Sequence, residues 1–370
     1  MNNMMSILFA SGNESKLNEL TLHRTTASLP FGGRYRLIDF TLSNLVNSGI
    51  TQIGIVTRSN YQSLMDHIRQ GRDWDLNRKN GGISVFPPFV YNSSRDVYKG
   101  KIEAIHSILN FLEKSTEKYV VISNCNLAMN INYDEVFEKH IADNASVTVL
   151  THMSYTTTSR RIVVTAAADG KITDICESET AKNKEELISL NTYLIAKDIL
   201  VDLVQKAYAR GHVDFEKDIL FKLVEEGRAY SYEVEGYSAI IDDVKTYYNQ
   251  SMNLLKFETR EALFGQERKI YTKVKDSVPT AYEAGAKVKN SLIADGCVIN
   301  GTVENSILFR NVKIAEGAVV KNSIVMENGF VGKNSSLQYA ITDKDVHINE
   351  DRNISGFVTY PIVIVKGKRV

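Results

Sequence analysis

A chain of 370 residues, 43% of them hydrophobic, is too long for one small domain and suits two of unequal size. Its 44 basic and 44 acidic residues cancel, and the pI near 7.1 argues against broad electrostatic binding of nucleic acid or of an anionic membrane. Cys125, Cys176 and Cys297 lack metal-ligand spacing and fit a reducing compartment. The opening residues show no signal-peptide pattern, and no apolar run reaches the length of a membrane span. The expectation is a globular, cytoplasmic protein.

In chain order, Met5 to Ala10, Ile53 to Thr57, Tyr119 to Ser123 and Ala145 to Leu150 read as buried strands. Between them, Ile38 to Ser48 and Lys101 to Leu112 carry apolar residues at helical spacing, with Ile102, Ile105, Ile108 and Leu109 on one face. Such alternation predicts a parallel, doubly wound α/β sheet with its ligand site beyond the carboxyl ends of the strands.

The texture changes after about Phe257. Helical periodicity ends, and apolar anchors follow every five or six residues at Ile293, Val298, Val303, Leu308, Ile314, Val319, Val325, Val331 and Leu337. Asn290-Ser291-Leu292, Asn305-Ser306-Ile307 and Asn322-Ser323-Ile324 recur one coil apart. This is the hexapeptide pattern of a parallel β-helix. So few coils predict that the α/β domain or a neighbouring subunit covers the ends. His347, the one histidine of this region, has no partner that would make it a general base and reads as a surface residue.

The stretch Pro30-Phe31-Gly32-Gly33-Arg34-Tyr35-Arg36-Leu37-Ile38-Asp39-Phe40, then Leu42-Ser43-Asn44 and Asn47-Ser48-Gly49-Ile50, resembles the glucose-1-phosphate adenylyltransferase (ADP-glucose pyrophosphorylase) family. Gly71 to Leu76 and Asp214-Phe215-Glu216-Lys217-Asp218-Ile219 match two further segments. The resemblance implies a Rossmann-like, GT-A-like nucleotidyltransferase domain with a mixed sheet over residues 1–257. It also implies a connector over 258–284 and a left-handed parallel β-helix over 285–370. The family's reaction joins a nucleoside triphosphate to a sugar phosphate, with Mg²⁺ and basic side chains neutralising the phosphates.

Against the family's motifs, this chain departs at the charged positions. In Ser11-Gly12-Asn13-Glu14-Ser15-Lys16 one glycine of the phosphate loop remains, Glu14 brings negative charge, and Lys16 replaces an arginine fork. Thr26 stands at one phosphate-binding lysine, and Ser178, followed by Glu179, at the other. Asn126 stands at the first metal aspartate and Ile240 at the second, unless a slip of one or two residues puts Asp242 or Asp243 there. Neutral groups at these places imply no metal ligands and no catalytic residues. Glu177, Ser189, Tyr193 and Asp214 match sugar-pocket positions and either hold a sugar or serve as core hydrogen-bonding groups.

The resemblance is therefore to the family's non-catalytic regulatory subunit, a pseudoenzyme that assembles with a catalytic homologue into a heterotetramer for glycogen biosynthesis. In the family, basic residues beside the Pro-Phe-Gly-Gly segment and an arginine on the β-helix bind a phosphorylated allosteric effector. Arg34, Arg36 and Arg310 are the matching residues here, suited to phosphate or sulfate. Arg58 could extend the patch, while His67 and Arg69 read as one exposed helix face. A weakly active nucleotidyltransferase using Asp242 or Asp243, and a stand-alone sugar-phosphate sensor, are the competing readings.

Overall fold

The computed structural model describes residues 3–12, 14–58, 60–88, 98–155, 161–178, 185–265 and 267–370. The first part is a mixed sheet whose main path runs Ile172–Ser178, Arg161–Ala166, Glu185–Ala196, Tyr119–Asn124, Met4–Phe9, Gln52–Val56, Gly82–Phe86. The last four of these are parallel to one another. Glu185–Ala196 joins them antiparallel along one edge and pairs antiparallel with Val147–Tyr155 along the other. The parallel sheet expected from alternation therefore holds for these four strands, and the strands beyond them on the main path pair antiparallel.

Side-chain period explains why the sheet is wound on both faces. Met5, Ile7 and Phe9 point into a core with Ile102, Ile105 and Ile108. Met4 and Leu8 point the other way, onto Ile38, Leu42 and Leu45. The predicted helix from Lys101 to Leu112 is two helices, Lys101–Ser107 and Leu109–Lys114. They break at Ile108, whose N–H bonds back three residues to Ile105 (3.1 Å), tightening the turn. Among the described residues no helix is long and apolar enough to cross a membrane.

The second part is a left-handed parallel β-helix whose strands stack as three five-stranded sheets. Ile299, Val303, Leu308, Ile314, Val320, Val325, Val331 and Leu337 fill its interior. Two expected anchors are off by one residue: Val298 and Val319 are half-buried, while their neighbours Ile299 and Val320 are fully buried. In a two- or three-residue strand adjacent positions face opposite ways, so apolar spacing alone could not choose between two valines or between Val and Ile. The recurring asparagines are corner residues: Asn290, Asn305 and Asn322 have φ of +43°, +47° and +47°. Asparagine tolerates that left-handed conformation. The serines after them link the coils, Ser291 Oγ accepting from Ser306 N and Ser306 Oγ from Ser323 N, both at 3.1 Å.

The α/β domain covers one side of the β-helix, not its ends. In the third sheet Leu292, Ile307, Ile324, Ile341 and Val363 stack in register and face outward. This row packs with Phe309 and Met326 against Phe31, Phe40, Tyr247 and Leu254 of the first domain. Gly33 (φ +82°) lies against the coil, where an added Cβ would stand 3.7 Å from Leu308 O. Across the same seam Arg24 holds Asp343 with one amino group, at 2.8 and 2.9 Å, both side chains being nearly inaccessible. Truncating Ile324 to Ala would open a cavity in this seam; we expect urea unfolding to report a loss of about 2–5 kcal/mol.

Candidate functional site

The carboxyl ends of Met4–Phe9, Gln52–Val56 and Tyr119–Asn124 open onto a cavity of about 320 Å³. This is where a doubly wound sheet places its ligand. Its phosphate loop is already engaged from within. Gly12 N–H donates to Glu14 Oε1 (2.9 Å), and Thr26 Oγ1 donates to Gly12 O (2.6 Å) and stands 3.4 Å from Glu14 Oε1. Thr26, at a family lysine position, is buried and satisfied, while Lys16 is exposed. Asn13, within this motif, lies outside the described residues. The Arg58 guanidinium is tied to the carbonyl of Tyr98 at the cavity rim.

Beside this cavity, Asn126 Nδ2 donates to Asp242 Oδ1 (2.8 Å) and to Ile241 O (3.2 Å). The carboxylate that faces Asn126 is thus Asp242, not the residue at position 240 expected from counting. Ile240 is strand-paired with Leu127 and its side chain lies in the core. Asp242 Oδ2 forms an ion pair with Arg161, the two side chains being only 6% and 7% exposed. Asp243 is used elsewhere: it caps helix Val244–Asn253 by accepting from Thr246 N (2.7 Å). Arg161 reaches the site because its strand pairs antiparallel with Ile172–Ser178, placing it opposite Ser178. Glu179 lies outside the described residues.

A second cavity of about 410 Å³ adjoins Arg161 and Asp242 and is also lined by Glu177 and Asp214. Glu177 pairs with Lys217 (3.1 Å), and Asp214 Oδ1 accepts from Lys217 N (3.0 Å). Lys101 and Glu216 form an ion pair across the cavity wall. Burial alone would raise the Glu216 carboxyl, but the Lys101 ammonium holds it below its ordinary value. Ser189 and Tyr193 are buried outside the lining; Ser189 Oγ accepts from Asn191 N (3.1 Å), and the Tyr193 hydroxyl donates to Glu216 (3.3 Å). Cys125 lines the first cavity, and burial pushes its thiol far above the ordinary range.

At the seam between the domains, Arg34, Arg36 and Arg310 converge on a small cavity of about 90 Å³ that Lys273, Lys275, Lys344 and Glu327 also line. Arg34 and Arg36 come from alternate positions beside the short strand Tyr35–Arg36, as period 2 requires. Arg36 is anchored to Ser63 through O (2.6 Å) and Oγ (3.0 Å). Arg310 is 6% exposed, with Nε 3.8 Å from Asp295 Oδ2; among the described residues neither its Nε nor its Nη2 has a hydrogen-bond partner. Burial first and then Arg34 lower its pKa. His67 corrects the expected exposed face: it is buried, with Nε2 2.5 Å from Asp39 Oδ1 and its ring edge-on to Trp74, while Arg69 is exposed. His347 is half-buried and stacks on Phe330 (4.5 Å).

Comparison with known proteins places these features. A nucleotidyl transferase family model matches residues 5–255, and a GlmU-like C-terminal hexapeptide model matches residues 276–357. A glycogen biosynthesis protein GlgD of Bacillus subtilis (strain 168) is 34% identical over 99% of this chain and 96% of its own. Glucose-1-phosphate adenylyltransferases of Bacillus mycoides (strain KBAB4) and Geobacillus stearothermophilus are 33% and 35% identical, covering 94% and 86% of this chain and 93% and 83% of theirs. The chain belongs to the glucose-1-phosphate adenylyltransferase family.

Within that family frame, sequence reading missed Arg161, Lys101 and Glu216 as site residues. Arg161 carries no motif, and only the antiparallel pairing brings it onto Asp242. Lys101 sits in Gly100-Lys101-Ile102-Glu103-Ala104, a segment whose departure from the family pattern was visible. The substitution Arg161→Met removes the guanidinium that neutralises the buried Asp242 carboxylate. The expected cost is about 3–5 kcal/mol, read as a lower midpoint in chemical denaturation.

Proposed function

We propose that this chain is a non-catalytic regulatory subunit of a glucose-1-phosphate adenylyltransferase, acting beside a catalytic homologue that makes ADP-glucose for glycogen synthesis in the cytoplasm. The observation that carries the reading is the Arg161–Asp242–Asn126 cluster. A divalent ion needs anionic or carbonyl oxygens directed at one point. Here the amide turns its NH₂ toward the carboxylate, and a guanidinium covers the other oxygen. That donor set does not fit Mg²⁺, and Asp242 is thereby turned from a candidate metal ligand into half of a buried ion pair. This also weighs against the weakly active enzyme that Asp242 or Asp243 would otherwise support. The Glu14 carboxylate on Gly12 adds to the case, since it puts negative charge where a triphosphate would have to lie.

Support for assembly comes from the β-helix. Its first coil keeps the strands Ala281–Tyr282 and Lys287–Lys289 exposed, with Tyr282 58% and Val288 38% accessible. Such open strand edges favour a neighbouring chain, in keeping with a heterotetramer. Glycogen biosynthesis is named for the B. subtilis relative, and the enzyme activity for the other two. The stand-alone sugar-phosphate sensor remains a reading for Glu177 and Asp214, but Lys217 already engages both.

Pyrophosphate release from ATP and glucose-1-phosphate tests the proposal. The chain alone should show no turnover, and mixing it with a catalytic homologue should change that enzyme's rate, affinity or effector response. Substantial turnover alone, or no change on mixing, would refute it.

The seam cavity supplies the regulatory part. Its guanidinium groups, with Arg310 buried and its Nε and Nη2 without a hydrogen-bond partner among the described residues, suit a phosphorylated effector, phosphate or sulfate. An Arg34→Ala, Arg36→Ala double variant should fold, as judged by its melting curve, yet remove or blunt the metabolite response of the mixed complex. An unchanged response would overturn the assignment.

A further inference from the structure

The same cavity holds an anion of its own. Glu327 projects from a turn of the β-helix into the cluster and pairs with Lys275 of the connector and with Lys344 (2.8 Å) one coil further on. Its carboxylate is the acid best placed among the cations. Asp66 also lines the cavity, from an exposed position, and Asp295 stands 3.8 Å from Arg310 with 47% of its side chain accessible. Burial would raise the Glu327 carboxyl, but the Lys344 and Lys275 ammonium groups pull it down to about 2.

The cluster stays over-supplied with positive charge even so. Burial and the neighbouring Arg36 push Lys344 down to about 8 against the pull of Glu327, with Arg24 adding to the repulsion. Lys273 is also lowered, by burial and then by Arg69, Arg36 and Lys275. The free space of about 90 Å³ is room for one tetrahedral oxyanion among these cations. Backbone stacking holds the Glu327 turn in place, its carbonyl accepting from Asp345 N (3.0 Å). Only the side chain has to move.

We propose that Glu327 is the resident counter-anion of the seam cavity, and that a phosphate- or sulfate-class oxyanion binds there by displacing it from Lys275 and Lys344. The proposal rests on the reading of Arg34, Arg36 and Arg310 as anion ligands and adds what regulates their occupancy. The incoming dianion takes over the two lysines and gains the unsatisfied N–H groups of Arg310. The displaced carboxylate turns toward solvent beside the connector. Glu327 thereby selects for ligands of higher charge than its own, because a monoanion gains little by exchanging with it.

Titration calorimetry with inorganic sulfate on the full chain at low ionic strength tests this. Glu327→Gln, which keeps the shape and removes the charge, should bind sulfate about tenfold more tightly than the natural chain, equivalent to about 1.4 kcal/mol. Glu327→Asp, which keeps the charge but shortens the reach to the lysines, should fall between them and serves if the Gln variant does not fold. Unchanged or weaker binding in the folded Gln variant, or in the Asp variant where it serves, means that Glu327 orders the lysines instead of competing for them, and the proposal fails. Arg310→Ala separates the two claims. If it binds sulfate as the natural chain does, or if sulfate binds to none of the proteins, the anion-site reading itself fails.

Discussion

The seam between the two domains is the constraint on which the remaining features depend. Ile307, Ile324 and Ile341 form an outward apolar row on the β-helix, and the first domain supplies Phe31, Phe40 and Tyr247 to cover it. A β-helix side that displays such a row in water would expose a contiguous apolar strip. Burying it brings the Pro30–Arg36 hairpin against the coil, and with it Arg34 and Arg36 against Arg310. The buried Arg24–Asp343 pair then locks one relative position, because any sliding would leave a charge without its partner. The cationic cavity is thus a product of apolar packing, with charge confined to the gap that packing leaves.

The two halves of the protein handle charge in opposite ways. In the sheet domain, the places where a triphosphate, a metal and a sugar phosphate would need free charges contain internal pairs: Glu14 on Gly12, Arg161 on Asp242 and Lys101 on Glu216. Each pair satisfies its members locally, which favours a stable fold over a reactive site. At the seam, cations outnumber carboxylates, and Nε and Nη2 of Arg310 have no hydrogen-bond partner among the described residues. Unmet hydrogen-bonding capacity in a buried guanidinium is costly unless a ligand meets it. One region therefore pairs its charges internally, while the other leaves two nitrogens of a buried guanidinium without a partner among the described residues.

The two architectures and the departures from the family's charged motifs were both legible in the sequence for a physical reason: they are written in local order. Alternating apolar strands and helices, asparagine corners at coil spacing and the Pro-Phe-Gly-Gly stretch each lie within a few consecutive residues. Thr26, Ser178 and Asn126 were assigned from the ordered motifs that flank them. Counting put Ile240 opposite Asn126 with Asp242 or Asp243 as the slipped alternatives, and the structure faces Asn126 with Asp242, an offset that no local pattern marks. A single-residue ambiguity, which reverses every side chain of a strand, displaced two interior positions of the β-helix, from Val298 to Ile299 and from Val319 to Val320.

What the sequence by itself determined was the pair of architectures and the loss of charged groups from the family's motifs, because both follow from residue type and near-neighbour spacing. Only the tertiary structure decided what took over those places. Arg161 and Asp242 are 81 positions apart, and Arg24 and Asp343 are 319 apart. No local rule links such residues; strand pairing and the packing of an apolar row do. His67 shows the same limit on a smaller scale, since its helical position suggested solvent and Asp39 with Trp74 enclosed it. Electrostatic partners at a distance belong to the fold, since a charge is satisfied by what surrounds it in space and not by what precedes it in the chain.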